Sequence, residues 1–140
     1  MLPSSVLYAQ KPDPVEISAA IQHVRGDLYR LVVRAAVPHG QYIYSIDQEA
    51  GGPIPTVIKV VPTTKIVQKT NWREIPKPVI RQYDFWPGLD VLIQTGKVRW
   101  LAEFNSSEPV FQIAGEVTLY PCAGSVCYSP QTLRFIAINK

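Results

Sequence analysis

Apolar and polar residues alternate with a period of two along much of this chain. In residues 27–37, Tyr29, Leu31, Val33, Ala35 and Val37 fall on one face, and Arg30 and Arg34 on the other. Val98, Trp100, Ala102 and Phe104 alternate in the same way with Lys97, Arg99 and Glu103, as in a half-buried antiparallel strand. In residues 110–120, Ile113, Val117 and Leu119 oppose Gln112, Glu116 and Thr118. Shorter apolar or β-branched runs predict strands over residues 15–21, 41–46, 56–61, 66–72, 79–83, 89–94 and 132–138. Glycine and proline punctuate them. Residues 38–40 break the first long strand, residues 47–55 form a loop, residues 95–97 form a tight turn, and residues 105–109 form a polar turn. Residues 74–78 hold two prolines and read as an extended connection. No window of about eleven residues carries a helical period. The pattern predicts an all-β fold, an immunoglobulin-like β-sandwich of about eight or nine strands.

Composition sharpens this picture. A chain of 140 residues with 46% hydrophobic content has the size of one domain and can bury a core without metal or disulfide. Proline stands at 13 residues, well above the usual ~5%, and helix interiors exclude it, so a helical bundle is disfavoured. The net charge of +3 is mild and the basic residues are scattered along the chain, which argues against a nucleic-acid partner. No apolar run approaches the ~20 residues of a membrane helix. The opening MLPSSVLYAQ is mildly apolar and lacks a basic start. It reads either as the tail of an export signal or as a loose N-terminus. The expected organisation is a flexible leader over residues 1–14 and a domain over residues 15–140. Nothing in the pattern calls for an oligomer.

The candidate chemistry lies in three places. Cys122 and Cys127 are separated by four residues on a bend before the last strand, close enough to approach disulfide distance. Three readings stand for this pair. As a local staple it closes so short a loop that it stabilises the fold by only about 2 kcal/mol. As a metal pair it would need further ligands, and His23 and His39 are both remote in sequence. As a redox dithiol it needs no third group. The second place is Asp84-Phe85-Trp86-Pro87-Gly88, which puts two large rings on a loop; they either fill one end of the core or shield a site. The third is Gly40-Gln41-Tyr42-Ile43-Tyr44, with both tyrosines on one strand face, where sheet packing alone would account for them. There is no GxSxG motif, phosphate-cradling glycine loop or dinucleotide fingerprint.

Taken in order, these segments resemble the N-terminal domain of DsbD, the periplasmic thiol:disulfide interchange protein. The resemblance rests on Gly40, Tyr42 and Tyr44, on Asp84, Phe85 and Trp86, and on Cys122, Cys127, Tyr128 and Pro130. It covers the chain from about residue 15 onward, and its cysteine segment is the most specific part. It implies a protein-disulfide reductase domain in a larger membrane protein. Such a domain takes electrons from a membrane-embedded reductase domain and reduces thioredoxin-like periplasmic partners, of the disulfide-isomerase or cytochrome-maturation type. No metal or other cofactor is implied. Cys127 maps to the cysteine that forms the mixed disulfide and Cys122 to the one that resolves it. Asp84, Phe85 and Trp86 map to a mobile cap with the phenylalanine over the disulfide. Tyr42, Tyr44 and Tyr128 would line the site. Two positions depart from the usual pattern: one residue fewer separates the cysteines, and Ser129 stands in place of a proline. The alternative is a non-enzymatic immunoglobulin-like binding module with a local structural disulfide.

Overall fold

The computed structural model describes residues 12–140, so the expected leader falls largely outside the described residues. The chain is fastened from Asp13 onward: the Asp13 carbonyl accepts a hydrogen bond from Gln41 Nε2 at 2.9 Å, and the Val15 N–H donates to Gln131 Oε1 at 3.3 Å.

Two sheets face each other across one core. The first runs β1 (Glu16–Arg25), β2 (Leu28–Ala36), β9 (Lys97–Ser106). The outer edge of β9 is shared by two short strands. β5 (Ile66–Gln68) pairs with its far end, and β6 (Arg73–Ile75) with its near half. The second sheet runs β13 (Gln131–Asn139), β10 (Phe111–Leu119), β4 (Val57–Val60). The faces follow the alternation. Leu31, Val33, Val98 and Trp100 from one sheet meet Ile113, Val117, Phe135 and Ala137 from the other, all buried. The result is an immunoglobulin-like sandwich, as the pattern predicts.

A smaller sheet sits at one end: β3 (Ile43–Tyr44), β8 (Asp90–Gln94), β7 (Val79–Gln82). It is joined by a two-stranded hairpin, β11 (Cys122–Ala123) with β12 (Val126–Cys127). In all, thirteen strands are present among the described residues. The excess over the expected eight or nine comes from segments of two or three residues, too short to show a period. Residues 74–78, expected as a plain connection, begin inside β6. Residues 66–72, expected as one strand, form β5 and then leave the sheet.

The β6 strand matters because of Glu74. Its carboxylate accepts hydrogen bonds from Trp100 Nε1 (2.8 Å), Ser45 Oγ (2.5 Å), Gln94 Nε2 (3.1 Å) and the Ile46 N–H (3.2 Å). Trp100 is fully buried, and a buried indole N–H needs an acceptor. One side chain thus ties the main sandwich to the end sheet.

Gly115 lies on the inward face of β10. A Cβ there would come within 2.4 Å of the Lys59 carbonyl oxygen and 2.6 Å of the Phe135 ring. The absence of a side chain leaves room for the Phe135 ring and for the Lys59 carbonyl of β4, which pairs beside it. Gly115→Ala should therefore cost about 1–3 kcal/mol through overpacking, read as a lowered urea midpoint with an unchanged slope.

Candidate functional site

The end sheet and the cysteine hairpin form one continuous surface. The Tyr42 N–H donates to the Cys122 carbonyl at 2.8 Å, and the Cys122 N–H donates to the Tyr42 carbonyl at 2.9 Å. The backbone polar groups of Cys122 are thereby turned away from β12. Within the hairpin, Cys122 faces Cys127 as a non-hydrogen-bonded pair, the closer of the two antiparallel spacings. Their Cα atoms are 4.0 Å apart and the sulfurs are joined in a disulfide. The two-residue loop Gly124-Ser125 closes the hairpin, with Gly124 at φ 59°, a conformation that such loops require and glycine adopts freely. At its base the Tyr128 N–H donates to the Pro121 carbonyl at 2.9 Å.

The two cysteines differ in setting. Cys122 is fully buried, in a cluster with Tyr44, Val91 and Ile93, and Tyr42, Trp86 and Tyr120 pack against it. Cys127 lies exposed on the outer strand of the hairpin. The Tyr44 hydroxyl stands over both sulfurs, 3.4 Å from Cys122 Sγ and 3.7 Å from Cys127 Sγ. A disulfide has no proton to give, so the phenol is the donor. Tyr42 stacks edge-on to Tyr44 at 5.9 Å, and its hydroxyl donates to the Gly124 carbonyl at 3.1 Å. β3 is held in place from behind by Thr56 Oγ1, which donates to the Tyr44 carbonyl at 2.6 Å, and by the Glu74 carboxylate on Ser45.

The loop of residues 84–88, expected as a cap, follows β7. The Trp86 N–H closes a turn on the Tyr83 carbonyl at 3.0 Å, and the Leu89 N–H closes a second on the Trp86 carbonyl at 3.2 Å. Trp86 is half-buried against the cysteine cluster, flanked edge-on by Tyr83 and Phe85. Phe85 itself is 82% exposed. A ring seated over the sulfurs would lose much more of its surface than that. In this conformation Trp86 packs toward the site and Phe85 points outward. Asp84 is exposed beside it. Tyr128 is half-buried, and Tyr120, not Tyr128, supplies the third tyrosine ring of the cluster. Tyr120 and Tyr83 carried no signal of their own: each is a single aromatic at the end of a strand.

Burial raises the Tyr42 phenol to about 12, with the neighbouring phenols of Tyr44 and Tyr83 adding to the effect. Burial raises Tyr44 as well. Both stay protonated donors at neutral pH. An unfolded tyrosine ionises near 10.0, so the stability that protonated Tyr42 contributes is complete below that pH and is lost as pH rises through about 12. In a phenolate absorbance titration, Tyr42→Phe should remove the last tyrosine step to appear.

No protein-family model matches this chain, and no curated protein sequence does. Solved structures do. The N-terminal periplasmic domain of ScsB from Proteus mirabilis superposes with a TM-score of 0.58 at 17% identity, over 88% of this chain and 46% of that one. The chain thus spans just under half of the ScsB chain it matches. The reduced N-terminal domain of DsbD from Neisseria meningitidis gives a TM-score of 0.55 at 15% identity, over 89% of this chain and 90% of that one. The structure of the complex between the DsbD and PilB N-terminal domains from the same organism gives 0.53 at 18% identity, over 86% of this chain and 80% of that one. At such identities the likeness is one of fold. The chain shares the fold of the DsbD N-terminal domain, and it carries a cysteine pair closed into a disulfide.

Proposed function

We propose that this chain is a periplasmic thiol-disulfide interchange domain working through Cys122 and Cys127. It takes electrons from a membrane-embedded reductase domain and reduces the disulfides of thioredoxin-like partner proteins. The observation that carries the proposal is the asymmetry of the pair: one cysteine fully buried under a tyrosine hydroxyl, the other exposed on an edge strand. A local staple needs no such difference. The fold shared with DsbD and ScsB domains, the latter described as periplasmic, supports the same reading, and so does the DsbD–PilB complex.

In the reduced domain the exposed Cys127 thiolate attacks a partner's disulfide. A mixed disulfide forms and one partner sulfur leaves as thiolate. The Cys122 thiolate then attacks Cys127 Sγ, re-forms the intramolecular disulfide and expels the second partner thiolate. Two electrons pass to the partner, and its two thiolates take up protons from solvent. Recharging runs the same steps in reverse against the reductase dithiol. The backbone N–H and carbonyl of Cys127 face away from the hairpin, mirroring those of Cys122 that pair with Tyr42. A partner's extended segment can pair there as the next strand. Tyr44 donates to whichever sulfur carries negative charge, and its neutral phenol is kept by burial. Asp84, Phe85 and Trp86 act as the cap: Trp86 covers the buried side of the pair, Phe85 is the outward contact for an arriving partner, and the Asp84 charge disfavours stray thiolate nearby.

Equilibration of the Cys122–Cys127 couple in glutathione and thioredoxin buffers tests the function. The expected potential lies above about −300 mV; a value well below that marks a structural bond and favours the binding-module alternative. In periplasmic extract, Cys122→Ala should accumulate a mixed disulfide at Cys127 that the parent does not. Tyr44→Phe removes one hydrogen bond to a charged sulfur, and exchange with a model disulfide should slow by about tenfold while the fold is kept. An unchanged rate would assign Tyr44 to packing alone.

A further inference from the structure

We infer that the outer face of the five-stranded sheet, away from the dithiol, is a docking cleft for an acidic polypeptide segment. The paired strands bring cross-strand rows into line on this face. One row reads Glu16, Ala36, Lys97; the next reads Ser18, Arg34, Arg99, Ile75; then come Ala20, Val32, Leu101, Arg73, and Gln22, Arg30, Glu103. Five basic residues thus share one face with two acidic ones, a balance equal to the +3 of the whole chain.

The arrangement carries a cost that folding alone does not explain. Arg34 and Arg99 sit directly opposite each other, and like charges at opposed positions destabilise a sheet. Arg30 is paired with Glu103 at 3.0 Å. Among the described residues, Arg34, Arg73, Lys97 and Arg99 have no carboxylate within ion-pair distance. Residues 1–11 contain no Asp or Glu. Three of these four charges, Arg34, Lys97 and Arg99, line a concave cleft of about 580 Å³, walled by Glu16 and Ser18 on one side and Ile75 on the other; Arg73 lies on the same face outside it.

The shape favours a chain over a bilayer. The cleft crosses four strands, roughly 14 Å at ~4.8 Å per strand, which is the length of about four extended residues. Guanidinium forks match carboxylates in a bidentate way. The large exposed apolar side chains that would anchor a membrane surface, such as Phe85 and Ile136, lie outside this cleft. Positive potential on this face would also steer an acidic partner toward the domain. The inference does not rest on the redox reading, because none of these residues belongs to the cysteine cluster.

The test uses the oxidised 140-residue chain and a blocked hexaglutamate peptide as probe, followed by amide NMR shifts. Shifts should concentrate on β1, β2, β6 and β9 at the cleft. Raising salt from about 20 mM to about 300 mM should remove most of the binding. Arg34→Gln and Arg99→Gln should each weaken it by about fivefold or more, without lowering the melting temperature, because each substitution also relieves the opposed like charges. If either variant melts early, Lys97→Gln serves the same comparison. Unmoved cleft resonances, or variants that bind as well as the parent, would overturn the inference. Inorganic phosphate shifting the same resonances equally strongly would reduce the cleft to a general anion trap and overturn it too. So would binding to phosphatidylglycerol vesicles in place of the peptide. The potential of the Cys122–Cys127 couple is read separately and bears only on the redox proposal.

Discussion

The site depends on two backbone hydrogen bonds, those exchanged by Tyr42 and Cys122. They join a four-residue hairpin ladder to the end sheet and set its register. Residues directly opposed in a ladder project to the same face, so Cys122 and Tyr42 share a side, and Tyr44, two residues on, shares it too. That brings the Tyr44 hydroxyl to both sulfurs. The same bonds turn the polar groups of Cys122 away from Cys127, which leaves the cysteine pair at the narrow spacing where a disulfide closes. A slip of one residue would put the tyrosines on the opposite face. The register is held from behind by Thr56 on the Tyr44 carbonyl and by the Glu74 carboxylate on Ser45 and Ile46.

How far the sequence reveals this depends on element length. β2, β9 and β10 run nine or ten residues, enough for alternation to assign each inward side chain, from Leu31 to Leu119. β6, β11 and β12 run two or three residues; β6 is made by pairing with the remote β9, and β11 and β12 by pairing with each other across one tight turn. Their sequences hold no period to read. Glu74 could be placed only on a proline-rich connection, because its role lies in donors from β8, from β9 and from Ser45 and Ile46 just after β3, all remote in sequence. The cysteine spacing was legible as a close pair, but the burial of one and the exposure of the other follow from which strand is the edge. In the loop after β7, composition located the rings but not their order: Trp86 turns inward and Phe85 outward because the turn that closes on Tyr83 fixes the backbone there.

Charge shows the same contrast. Along the chain the basic residues are scattered and the net charge is small. A period of two places Arg30 and Arg34 on the outward face of β2, and Lys97 and Arg99 on that of β9. Register then lines them up across the strands, with Arg73 of β6 beside them. A modest total charge can thus be a concentrated one, and only strand pairing decides which. The outward face also has a dry centre, where Val32 and Leu101 are opposed and almost fully buried between rows that carry long basic side chains. Arginine stems cover apolar surface while their heads remain available.

The sandwich and the dithiol make separate demands that this architecture keeps apart. The proposed exchange chemistry requires the domain to stay folded with its cysteines both joined and open. A disulfide closing so short a loop contributes only about 2 kcal/mol. The core around Trp100 and Phe104 lies in the main sandwich, outside the cysteine cluster. The hairpin also has ties of its own that do not pass through sulfur: the Tyr42–Cys122 bridge, the Tyr42 hydroxyl on the Gly124 carbonyl, and the Tyr128 N–H on the Pro121 carbonyl. With the S–S bond open, these would hold the two thiols opposite each other beneath Tyr44. Re-closure would then be an encounter between groups already positioned, which is the condition under which a buried resolving cysteine can compete with a departing partner.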